Sequence, residues 1–384
     1  MEIRQLHLHG PLAGSELLAA LGDIRPHLLL VFAGVDVMAA PGFADALAQA
    51  CPGALRVGCS TAGEITAHGV FDDSTILTAL HFEHSAVREA STVLTDMADS
   101  HAAGTRLAEQ LQGPDLAGVL LLGQGVAING SALVAGMAAV LGPGVPISGG
   151  LAGDGADFQK TWTLSSQGVS ATTLVAVGFY GAGIHLGHGS FGGWEPFGPA
   201  RRVTRCDGNV LYELDGEPAL DIYKRYLGEY ARELPASGLL FPFSMLGRDH
   251  AAVGLIRTIL GVDEATGSLV LAGEIDPDGY LKLMHATPDA LVDGAQRAAE
   301  FSCAGGGELG TGAGNRLAIL VSCVGRKLVL GGRVDEEVEG VAEVLGRGVA
   351  VTGFYSYGEI SPVAGSGECK LHNQTMTVTV ISEN

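Results

Sequence analysis

Four times along this chain a glycine is followed directly by an acid: Gly63-Glu64, Gly153-Asp154, Gly273-Glu274 and Gly358-Glu359. A glycine that recurs after a strand end marks a backbone position needing positive φ or a close approach, and the acid beside it is then presented at a comparable place each time. Two kinds of chemistry follow. Each carboxylate can cap its own turn by accepting backbone N–H groups. Alternatively, two or more converge on one cleft, where Glu64 and Glu359 attract a ligand amine.

The surroundings of the first and last turns favour recognition of something small and polar. Gly58-Cys59-Ser60-Thr61-Ala62 leads into the first, Gly353-Phe354-Tyr355-Ser356-Tyr357 into the last, and His372-Asn373-Gln374-Thr375 follows. Hydroxyls, amides, aromatics and a carboxylate together orient a small ligand in an otherwise apolar pocket, or form a satisfied internal network. The expected ligand-binding set is Cys59, Ser60, Thr61, Glu64, Asp154, Tyr355, Tyr357, Glu359, Asn373 and Gln374. Cys59 or Ser60 beside Glu64 also suggests a nucleophile, but covalent catalysis needs a base partner and none is identifiable. There is no G-x-S-x-G, H-E-x-x-H or G-x-x-x-x-G-K-[ST] motif, so an enzyme is the least favoured class.

Other chemistry-bearing residues are less patterned. The glycine run from Gly305 to Gly314 follows a predicted helix and leads into a strand, the reverse of a dinucleotide loop, and reads as an ordinary connection. Gly123-Gln124-Gly125 does follow a strand, with Asn129 and Ser131 as caps for the next helix and a bound anion as the alternative. His185 and His188 are three apart in an extended stretch and face opposite sides, while His250, His285 and His372 each stand alone. Six cysteines form no C-x-x-C pair, which argues against a zinc site and a secreted disulfide framework.

The elements that position these turns repeat. A first unit runs from strand 28–32 through helix 43–50 and a strand ending at Gly58 to its Gly-acid turn, then to strand 75–82. The second has strand 119–122, helix 131–141, strand 145–148, the turn, and strand 173–179; the third has 317–324, 334–345, 349–353, the turn, and 375–381. A fourth turn, Ala272-Gly273-Glu274, precedes strand 280–284 but follows a hairpin turning at 263–267, so it is the weakest copy. The pattern implies an α+β or α/β fold of layered mixed sheets flanked by helices, built from repeated β-α-β-(Gly-acid turn)-β units in two related halves. The stretch 181–208 reads as the crossing between halves and Leu220, Tyr223, Leu227 and Tyr230 as a helix opening the second, giving domains 1–208 and 209–384.

Composition bounds the function. With 384 residues, 47% hydrophobic and 58 glycines without a three-residue period, the chain is neither disordered nor collagen-like. A net charge of −20 without clustered basic residues excludes nucleic acid and anionic membrane surfaces as partners. No secretory leader pattern and no apolar run of roughly 20 residues is present, so the expected location is cytoplasmic.

Taken together, Gly58 to Ile65, the central Glu213-Leu214-Asp215-Gly216 with Pro218-Ala219 and Tyr223 to Gly228, and Gly353 to Pro362 with His372 to Thr375 resemble the FIST family of signal-transduction sensors. The likeness runs from about Leu28 to Ile381. It implies an N-terminal and a C-terminal FIST domain and a sensory role towards small ligands such as amino acids, with no cofactor required. It also implies a separate output protein, such as a histidine kinase, because no output module is recognisable in the chain. Stand-alone members also include nitric-oxide-sensing haem proteins, and under that alternative His250 and His285 are the residues to test as haem ligands.

Overall fold

A computed structural model describes residues 1–304, 316–363 and 367–384, and the glycine run from Gly305 to Gly314 lies outside the described residues. Three of its sheets have six strands each and share one plan. The first orders its strands as Glu2–Leu8, Thr75–His81, Leu28–Ala33, Leu55–Ser60, Thr163–Ser165 and Gly168–Ser170. The second runs Ala86–Val93, Thr173–Tyr180, Leu116–Gly123, Ile147–Leu151, Gly358–Pro362 and Cys369–His372. The third runs Ile184–Phe191, Met376–Glu383, Arg316–Cys323, Val349–Ser356, Glu64–Thr66 and Gly69–Phe71.

In each sheet the two central strands are parallel and joined through a helix, and the last two strands come from a different unit. The first unit lends its post-turn hairpin to the third sheet, the third lends to the second, and the second lends to the first. Each Gly-acid turn of the three units is thus the point where the chain leaves its own sheet and crosses to a neighbour's.

The central strands are apolar on both faces because both faces are covered. Leu28, Leu30 and Phe32 meet Leu120, Leu122, Leu317, Ile319 and Val321 in a core shared by all three sheets, with the Phe32 and Phe354 rings stacked 4.7 Å apart. The alternate residues Leu29, Val31 and Ala33 pack outward onto helices, as expected of parallel strands buried on both sides. Those helices pair within each unit: Gly14–Leu21 on Phe43–Ala50, Ser100–Leu111 on Gly130–Leu141, and Pro288–Ala304 on Val334–Leu345.

The two halves are therefore related through three units, two in the first half and one in the second. The stretch 181–208, read from its glycines as a crossing, instead contributes Ile184–Phe191 as the outer strand of the third sheet, paired along its length with Met376–Glu383. Between that strand and the helix Pro288–Ala304 lies an inserted nine-stranded sheet, from Glu195–Pro196 to Tyr280–His285. It carries the helix Ala219–Leu227 and a core of its own around Leu211, Leu220, Tyr223, Phe243 and Leu281. The hairpin expected at 263–267 is present within it.

Candidate functional site

The three turns of the repeated units do meet. Gly153 N donates to Ser60 O at 2.9 Å and Gly155 N to Thr61 O at 3.1 Å; Tyr357 N donates to Leu151 O at 3.1 Å, and Ala62 N to Tyr355 O at 2.8 Å. Each turn is bonded to the next in a closed ring. The approach is close enough that a Cβ on Gly153 would fall 2.7 Å from Ala62 N, which is why glycine stands there.

The acids at this ring are committed to the protein. Glu64, 0% exposed, accepts from Ser74 N at 2.9 Å, Ser74 Oγ at 2.8 Å, and the Thr61 hydroxyl. Glu359, also 0% exposed, repeats the arrangement with Thr375 N at 3.0 Å, Thr375 Oγ1 at 2.8 Å and Ser356 Oγ at 3.0 Å. Burial raises both carboxyls, that of Glu359 to about 7. Asp154 departs from the pattern: it accepts from Phe158 N, Gln159 N and Lys160 N at 2.7–2.9 Å and from the Tyr357 hydroxyl, so it fixes a loop.

The rest of the expected set is likewise inside the protein. Cys59 is fully buried in the shared core, and that burial pushes its thiol well up, away from nucleophilic use. Ser60 Oγ donates to Gly153 O at 2.7 Å and accepts from Trp162 N at 2.9 Å. The Tyr355 hydroxyl donates to Glu337, which also accepts from Ser322 Oγ and pairs with the fully buried Arg326 at 2.7 Å. Gln374 donates to Leu239 O at 2.9 Å, while Asn373 Oδ1 and Gln374 Oε1 are buried without a partner among the described residues. None of the ten lines the cavity described next. The ring of turns is a joint between sheets, and the fourth turn, Gly273-Glu274, lies outside it in the inserted sheet.

A cavity of about 600 Å³ lies elsewhere, between the helix Gly130–Leu141, the inserted sheet and the segment 367–371. Its apolar wall includes Ala135, Ala138, Val145, Met245 and Leu255. Its polar groups are Ser131, Arg257, Glu274 and Asp276, with Glu368 and Lys370 paired at 3.2 Å beside them. Arg257 is 4% exposed and, among the described residues, donates to carbonyls, of Glu274 at 3.0 Å, Ile256 at 3.2 Å and Leu371 at 3.4 Å. Among the described residues no carboxylate is in ion-pair range of it, and burial lowers its guanidinium to about 10, still charged at neutral pH. Ser131 Oγ is buried with no partner among the described residues, because the helix is capped by Asn129, whose side chain accepts from Ala132 N at 3.0 Å. Asn129 Nδ2 reaches across to Glu274 Oε1 at 3.5 Å.

The sequence profile of the FIST N domain matches residues 27–217, and that of the FIST C domain matches residues 219–362. The chain belongs to the FIST family. FIST domains are signal-transduction sensor domains. An uncharacterized protein of Mycobacterium tuberculosis (strain H37Rv) is 30% identical over 247 residues, which is 62% of this chain and 61% of the relative. One of Mycobacterium bovis is 27% identical over 256 residues, 63% of this chain and 62% of the relative. The chain thus spans about three fifths of the length of the curated relatives it matches. A solved cyanuric acid hydrolase from A. caulinodans aligns over 100% of this chain and 99% of its own at 10% identity and TM-score 0.35.

Within this FIST chain the cavity has one wall in the FIST N match, at 131–145, and another in the FIST C match, at 245–276. The two histidines of the haem alternative do not share a site. His250 is exposed at a turn with its ring 4.0 Å from that of Tyr280, whereas His285 packs edge-on to Phe197 at the far end of the strand Tyr280–His285. Neither lines the cavity described above. Among the described residues no cluster of His, Cys, Asp and Glu is arranged to hold a metal ion, and no helix is long and apolar enough to cross a membrane.

The residues that sequence reasoning missed are Arg257 and the role of Glu274. Arg257 stands alone in Leu255-Ile256-Arg257-Thr258-Ile259, and a charge inside an apolar strand is the signal that was available. Gly273 explains its companion: a Cβ there would meet Arg257 Nε at 2.9 Å, so the fourth glycine makes room for the buried guanidinium.

Proposed function

We propose that this chain is a small-ligand sensor whose ligand, an amino acid or a comparable small metabolite, binds in the cavity between the FIST N and FIST C parts. The observation that carries the reading is the cavity itself, about 600 Å³, apolar over much of its wall, with a few convergent polar groups drawn from both parts. A ligand touching both walls binds the closed arrangement better than an open one, and that differential affinity is what makes occupancy a signal. The output passes to a separate protein, with a histidine kinase as the partner to test, and the setting is cytoplasmic.

Hydrogen exchange tests the site and needs no map of the ligand's contacts. An amino acid that raises the melting temperature should slow exchange in the helix Gly130–Leu141 and the strand Ala252–Arg257 together. Protection confined to the ring of turns at 60–64, 151–155 and 355–359 would move the site there and sink this placement. An intense visible absorption band in the purified protein would instead favour the haem alternative.

A further inference from the structure

We infer that Arg257 is the anchor for a carboxylate on the ligand, with Ser131 as a second donor and the ligand's apolar end against Ala135, Ala138, Val145 and Leu255. The inference rests on the reading that this cavity is the ligand site. A guanidinium removed from water is costly unless its charge is compensated, and protein interiors ordinarily supply a carboxylate. Arg326 shows what this chain does when the compensation is internal: it pairs with Glu337 at 2.7 Å and donates to the Leu291 carbonyl at 2.8 Å.

Arg257 is held as firmly, but among the described residues no carboxylate is within ion-pair range of it. Three carbonyls fix its plane through Nε and Nη1, and none of these bonds uses Nη2. Gly273 leaves room for it to lie flat. Glu274 faces the cavity and acts on Arg257 through space, yet it accepts from Asn129 and is outside ion-pair range. The unpartnered Ser131 hydroxyl on the same cavity is independent of Arg257, since it comes from another element and another domain. Both vacant groups are donors, and a guanidinium with a hydroxyl is the donor set that suits a carboxylate. Glu274 and Asp276 on the same rim then suit an ammonium group, where the ligand has one.

The test uses three probes of one shape: L-leucine, 4-methylpentanoate, which lacks the amine, and 3-methylbutylamine, which lacks the carboxylate. Thermal shift and calorimetry on the full chain should show saturable binding of both carboxylates and none of the amine. Arg257→Met should weaken carboxylate binding by about tenfold or more, the loss expected for a charged hydrogen bond, and Arg257→Lys should recover part of it. Ala135→Trp, at an exposed position on the cavity wall, should block both carboxylates. Carboxylates that bind Arg257→Met as tightly as the parent, but not Ala135→Trp, overturn the anchor and leave the cavity as the ligand site. Carboxylates that bind Ala135→Trp unchanged overturn the site as well. Preference for the amine, or no binding of either carboxylate by the parent protein, also overturns the anchor.

Discussion

Arg326, beside the ring of turns, and Arg257, at the wall of the junction cavity, are both almost fully buried, yet only Arg326 has a carboxylate against it. Around Arg326 the polar groups close on one another: Glu337 takes its charge, and the Ser322 and Tyr355 hydroxyls occupy the other carboxylate oxygen. Around Arg257 they do not close, and a hydroxyl on the opposite wall is also unpartnered. Buried charges are ordinarily paired, so a guanidinium with its carboxylate argues for architecture and one without for something that completes it.

Exchanging each arginine for methionine separates the two regions most strongly. Arg326→Met strands the Glu337 charge inside the core, and breaking a buried pair this way costs about 3–5 kcal/mol. Chemical denaturation of the two variants in ligand-free buffer makes the measurement. An Arg326→Met protein as stable as the parent would remove the distinction.

The two symmetry-related carboxylates give a pH-dependent version of the same contrast. Glu359 is raised from 4.5 to about 7 by burial, so the folded state binds its proton more tightly than the unfolded chain. The stability this contributes is complete below pH 4.5 and is lost as the pH rises through about 7. Glu359→Gln mimics the protonated form, keeping acceptors for Thr375 and a donor towards Ser356. The parent should therefore lose about 3 kcal/mol relative to Glu359→Gln between acid and mildly alkaline pH. Parallel stability profiles for the two proteins would show that the carboxyl is not held neutral.

Asp154 tests whether the third turn is built on different terms. Asparagine cannot accept all four donors that converge there, from Phe158, Gln159, Lys160 and Tyr357. A cost of about 2 kcal/mol is expected for Asp154→Asn, with faster exchange at those amides. Unchanged stability and exchange in Asp154→Asn would show that the loop does not depend on the carboxylate.

Much of the fold could be read from the residues, because each unit declares its parallel strands by unbroken apolar runs and its turn by Gly-acid. The exchange of hairpins between units could not, since it joins Glu64–Thr66 to Val349–Ser356 across most of the chain and leaves no local trace. The same crossover turns Thr61, expected from the sequence to contact a ligand, inward onto Glu64, together with Ser74, while Ser356 and Thr375 turn onto Glu359. The copy that looked weakest, Ala272-Gly273-Glu274, is the one on the cavity, and it deviates from the repeat because its glycine accommodates Arg257.

The smallest expected effect is the most discriminating. Arg257→Met leaves no charge stranded and replaces an uncompensated guanidinium with an apolar side chain beside apolar neighbours, so two opposing terms act. Three carbonyls lose a donor, but they border a cavity large enough for water to replace it. The cost of burying the charge disappears. The net change in ligand-free stability should stay within about 1 kcal/mol, against several for Arg326→Met. A structural Arg257 would instead cost as much as Arg326 whether or not a ligand is present. A small effect on folding alongside a large one on carboxylate binding is the combination expected of a residue retained for recognition.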